Sequence, residues 1–86
     1  MALYLIDKSF GADGLELAAQ DRDAHIVLIQ DGVYLDVSKL SGRPVYAVAA
    51  DVDRRGLGER LAGWIKRIDY PELVDLIVKH KVYNFA

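Results

Sequence analysis

The chain has 86 residues, a hydrophobic share of 52% and a formal charge of -2. That length predicts one domain spanning residues 1–86, near the lower limit of what folds without staples. It contains no cysteine, which excludes a disulfide framework, a thiolate metal site and a persulfide held on this chain. The first run, Ala2 to Ile6, is apolar with one tyrosine and predicts a buried strand. It is too short to span a membrane and has no basic residues before it, so a soluble cytoplasmic protein is expected. Two glycines then break the pattern. Asp13 and Glu16, three apart, predict a capped first helix over residues 15–20 that ends in the polar run Gln20-Asp21-Arg22-Asp23.

Residues 25–30 hold Ile26, Val27, Leu28 and Ile29 without a polar interruption, the signature of a strand covered on both faces at the centre of a mostly parallel sheet. Asp31-Gly32 turns the chain, and residues 33–40 predict a short helix with Val33, Val37 and Leu40 on one side. Ser41-Gly42-Arg43-Pro44 reads as a loop and residues 45–49 as a third strand. Asp51 is expected to cap a single helical turn that Gly56 closes in the left-handed conformation. Gly58 and Gly63 weaken any helix over residues 57–63. Residues 65–68 form a fourth strand whose Lys66 and Arg67 suit an exposed or partner-covered position. Asp69-x-x-Glu72, with Pro71 in the first turn, opens the strongest helix, with Leu73, Leu76, Ile77 and His80 on one face. Residues 82–85 add a short edge strand.

The order βαβαβαβαβ predicts an α/β fold, a small three-layer α/β/α sandwich with a mainly parallel sheet of about five strands. Apolar content this high in so small a domain must reach the surface, which predicts an oligomer. The net charge argues against direct nucleic-acid binding.

Four aspartates, Asp7, Asp31, Asp51 and Asp69, follow predicted strand ends, where open α/β sheets bind ligands. They admit two readings. One is a small magnesium-dependent enzyme using carboxylates at the carboxyl edge of the sheet; the other is helix capping, which the sequence favours for Asp51 and Asp69. No phosphate loop and no nucleophile elbow accompany them. His25 and His80, far apart in the chain, argue against a zinc site. Tyr34 and Trp64 stand near loops and are candidate partner-interface anchors.

Three segments carry a resemblance when taken in order: Val27 to Tyr34 with its Gln30-Asp31-Gly32 turn, Asp51 to Leu57 with Arg55-Gly56, and Ile68-Asp69-Tyr70 running on to Lys79-His80. Together they resemble the DsrH/TusB family of sulfur-relay subunits, over nearly the whole chain. The resemblance implies the DsrE/F/H-like fold and a hetero-oligomer with DsrE/F-type or TusC/D-type subunits. In that family the sulfur-bearing cysteine sits on the DsrE/TusD-type chain, and some DsrH-type members have one in the first helix. This chain departs from those members, having none there. The expectation is therefore a non-catalytic subunit with no cofactor and no metal. It would organise the assembly and dock the cysteine-bearing partner, in tRNA 2-thiouridine synthesis or in dissimilatory sulfur oxidation. A homo-oligomeric binding module is the further alternative.

Overall fold

The computed structural model describes residues 2–40 and 42–86. Strands β1 (Ala2–Ile6), β2 (Ala24–Leu28), β3 (Val45–Val48), β4 (Lys66–Ile68) and β5 (Lys81–Phe85) form one sheet in the order β4-β3-β2-β1-β5. Every neighbouring pair is parallel, so every connection crosses over a face of the sheet. The unbroken apolar run at residues 25–30 becomes β2, the middle strand, as its lack of alternation predicts. β4, with Lys66 and Arg67 exposed, lies on one edge and β5 on the other.

The helices are α1 (Gly11–Gln20), α2 (Ala49–Arg54) and α3 (Tyr70–Lys79). Successive strand residues point to opposite faces and build two cores. Tyr4, Ile6, Ile26 and Leu28 pack with Ala18 of α1 and with Val33, Val37 and Leu40 of the β2–β3 connection. Leu3, Val27, Val48 and Ile68 face the other way, beneath Leu73 and Leu76 of α3. The second layer is thin. No residue of α3 is fully buried, and Ile77, expected on its inner face, is 38% exposed.

Three local expectations are corrected. First, α1 starts at Gly11, a turn before residues 15–20, and the Asp13–Glu16 capping box does not form, because Asp13 already lies inside the helix. Glycine there is a packing device: a Cβ at Gly14 would press on Phe85 and Ile6, so its absence lets α1 sit close to the sheet. Second, residues 33–40 form no α-helix. The chain makes a 3-10 turn over Gln30–Tyr34, runs extended, and makes another over Ser38–Leu40. The apolar residues at 33, 37 and 40 still reach the core, Val33 and Leu40 from the two turns and Val37 from the stretch between them. Residues 57–63 form successive turns, in keeping with the helix-weakening Gly58 and Gly63. Third, α2 begins at Ala49, directly after β3, so Asp51 falls in its first turn and does not cap it. Ser41, the first residue of the expected 41–44 loop, lies outside the described residues; the remainder is irregular, as predicted.

Candidate functional site

Parallel strands put all strand-to-helix turns at one edge, and two of the quoted motifs meet there. Asp51 is 4% exposed and accepts a hydrogen bond from the Gln30 backbone N–H at 2.8 Å. Arg55, one turn further along α2, donates through Nε to Asp31 Oδ1 at 2.8 Å and through Nη1 to the Asp51 carbonyl at 3.2 Å. Its guanidinium also lies 3.6 Å from the Asp51 carboxylate. The hydrogen bond that Arg55 donates to Asp31 is the largest influence on it and raises its pKa above the ordinary value. Gln30 takes a φ of 49°, the left-handed region that few side chains adopt, and the bond to Asp51 holds it there. Gly32 follows because a Cβ at that position would collide with the Ile6 carbonyl oxygen of β1. Gly56 closes α2 at a φ of 64°. Gln30, Asp31, Gly32, Arg55 and Gly56 thus belong to one brace, which ties the β2–β3 connection to α2.

The other two motif pairs lie at opposite ends of α3. Asp69 accepts from the Glu72 N–H at 2.9 Å and the Glu72 carboxylate accepts from the Asp69 N–H at 3.4 Å, the predicted capping box. Tyr70 beside it is exposed. Lys79 and His80 sit at the far end, so the structure does not gather the motifs into one site. The aspartates at the carboxyl edge are all engaged within the protein: Asp7 with the Lys8 N–H, Asp31 and Asp51 with the shared Arg55, Asp51 also with Gln30, and Asp69 with Glu72. Among the described residues no three His, Asp or Glu side chains stand close enough to share a metal ion.

Tyr34 and Trp64, 30 residues apart, line the same cleft of about 300 Å³, together with Leu57, Arg60, Leu61 and Ile65. Tyr34 is 52% and Trp64 44% exposed. The Gln30–Tyr34 turn positions the first ring, and the turns after α2 position the second. Two half-exposed aromatic rings beside an arginine offer apolar area and hydrogen-bond donors together, the combination that protein interfaces favour.

Sequence spacing missed one association. The rings of His25, in β2, and His80, after α3, lie 4.5 Å apart between centroids. The signal was present as parity: His25 shares the strand face of Val27, and His80 continues the helix face of Leu73 and Leu76. Burial, and then the neighbouring His80, lower the pKa of His25.

Fold and edge geometry together define a small all-parallel α/β protein whose turn motifs bond chiefly to one another. The family described as DsrH like protein matches residues 13–83, and the chain belongs to this DsrH family, the sulfur-relay subunits that its motifs resemble. It is 36% identical to protein TusB of Photorhabdus laumondii over 67 residues, which is 69% of this chain and 70% of that one. It is equally identical to protein TusB of Salmonella arizonae over 63 residues, 64% of this chain and 66% of the relative. It thus spans about two thirds of the length of these TusB proteins. Protein Tm0979 from Thermotoga maritima, known from a solution NMR structure, superimposes with a TM-score of 0.66 at 30% identity, over 92% of this chain and 93% of that one. None of the described helices is long and apolar enough to cross a membrane.

Proposed function

We propose that this chain is a non-catalytic, cytoplasmic subunit of a sulfur-relay complex, docking a cysteine-bearing DsrE/F-type or TusC/D-type partner. Family membership supports the relay role, and the absence of any cysteine supports the division of labour, since a persulfide needs a thiolate to form on. The observation that carries the docking role is the cleft lined by Tyr34 and Trp64, which exposes two aromatic rings on a scaffold braced through Arg55. The partner would pass the sulfur; this subunit would hold it in place. Its complex would serve either tRNA thiolation or sulfur oxidation.

The test is transfer of labelled sulfur from a persulfidated donor to the reconstituted complex, with subunits then separated under non-reducing conditions. The label is expected on the partner alone, in smaller amount when this chain is omitted. Label bound covalently to this chain, or transfer indifferent to its omission, would overturn the proposal.

A further inference from the structure

The amino-terminal edge of the sheet, opposite the brace, holds a cluster that the docking role does not use. His25 stands at the start of β2, and Tyr46 on β3 stacks against it with ring planes 7° apart. The parallel crossover returns α3 to this same edge and delivers the His80 ring beside that of His25, 4.5 Å away between centroids. His80 Nδ1 lies 2.8 Å from the Leu76 carbonyl oxygen. A carbonyl only accepts, so Nδ1 is the donor, and in the neutral ring Nε2 is then left with an unshared pair. That Nε2 is shielded from solvent and has no hydrogen-bond partner. A buried acceptor without a donor is uncommon in folded proteins and calls for an explanation, of which an ion is one. An imidazole whose second nitrogen donates to a backbone carbonyl is also the usual arrangement of a metal-binding histidine.

We propose that His25, Tyr46 and His80 form a seat for one zinc-class transition-metal ion at the amino-terminal edge of the sheet. The separation of His25 Nδ1 and Tyr46 Oη, 3.5 Å, is long for a hydrogen bond. It is close to the roughly 3.4 Å that separates two ligands held at about 2.1 Å on a tetrahedral ion. His80 Nε2 supplies the third ligand and gains the partner it lacks, and water completes the set. Nitrogen-rich ligation selects zinc, copper or nickel over magnesium or calcium. All three side chains are half-buried, so the seat lies beneath the surface but within reach of solvent.

The experiment is calorimetric titration of the untagged, metal-stripped protein with zinc sulfate, magnesium sulfate serving as control. One zinc per chain is expected, with no response to magnesium. His25→Gln and His80→Gln are each expected to weaken binding by at least about tenfold, and Tyr46→Phe by less. Nitrogen NMR of the wild-type imidazoles gives a second reading that no folding defect in a variant can confuse. Zinc should shift His80 Nε2 and leave its Nδ1–H in place. Absence of saturable binding, equal affinity in the His25→Gln/His80→Gln double variant, or imidazole resonances unmoved by zinc would each overturn the seat.

Discussion

Two aspartates that occupy similar places in the sequence do different physical work. Asp69 caps α3 at an exposed position, where water replaces a lost hydrogen bond cheaply. Asp69→Ala should therefore cost about 1 kcal/mol. Asp51 is buried, and removing its carboxylate strands the Gln30 N–H together with one side of Arg55. Asp51→Ala should cost more, about 1–3 kcal/mol, as groups without solvent access lose partners. Denaturant melts of the two variants would show that order, and magnesium should leave both melts and that of the wild type unchanged. A magnesium-dependent rise in wild-type stability that vanishes in Asp51→Ala would instead restore the carboxylate-enzyme reading. Asp36 gives a pH signature. The Ser38 backbone N–H, its strongest influence, holds its carboxyl below the ordinary value of 3.8. A carboxyl depressed on folding adds stability above its unfolded pKa and loses it as pH falls through the folded one. Asp36→Ala should therefore lower stability slightly at neutral pH, and the difference should fade as pH falls through the lowered folded-state pKa and the carboxyl becomes protonated. Acid melts compared with those at pH 7 would check it.

At the scale of elements, the β2–β3 connection does the work that a helix was expected to do. A helix over residues 33–40 would have buried Tyr34 or aimed it elsewhere. Two short 3-10 turns instead anchor Val33, Val37 and Leu40 in the core and leave Tyr34 on the rim of the cleft. If this cleft seats the partner, Trp64→Ala should weaken the complex by at least about 2 kcal/mol, the range of a buried aromatic anchor, with the melting temperature of the isolated chain little changed. A binding titration beside a thermal melt separates the two effects. Unchanged affinity would remove Trp64 from the interface. The separation matters because the ring is nearly half exposed in the isolated chain and contributes little to its core.

For the whole molecule, the unequal layers matter most. α1 and the β2–β3 connection cover one face of the sheet with a continuous core, while α3 covers the other without one fully buried residue. Its outer side shows Tyr70, Val74 and Val78, the last of them 78% exposed. The apolar surplus read from composition therefore surfaces in the structure, and a stable oligomer is expected: homomeric alone, heteromeric with DsrE/F-type chains. Sedimentation at micromolar concentration checks this, and a clean monomer with and without such partners would count decisively against it.

The amino-acid sequence by itself determined the α/β class, the central place of β2, the capping box at Asp69 and the left-handed stop at Gly56. Each follows from neighbouring residues: an unbroken apolar run needs cover on both faces, a carboxylate three residues before a glutamate closes a helix start, and glycine tolerates a positive φ. The three ordered motifs also carried the family. Only the tertiary structure decided that Asp51 serves Gln30 and Arg55 in place of a cap, that Gly14 admits α1 to the sheet, and that His25 and His80 meet. Each of those outcomes needs at least one partner 21 residues away or more along the chain: Gln30 for Asp51, Phe85 for Gly14 and His80 for His25. Local propensity has no access to such distances, which are closed only when parallel strands stack in register and the crossovers bring their ends to common edges.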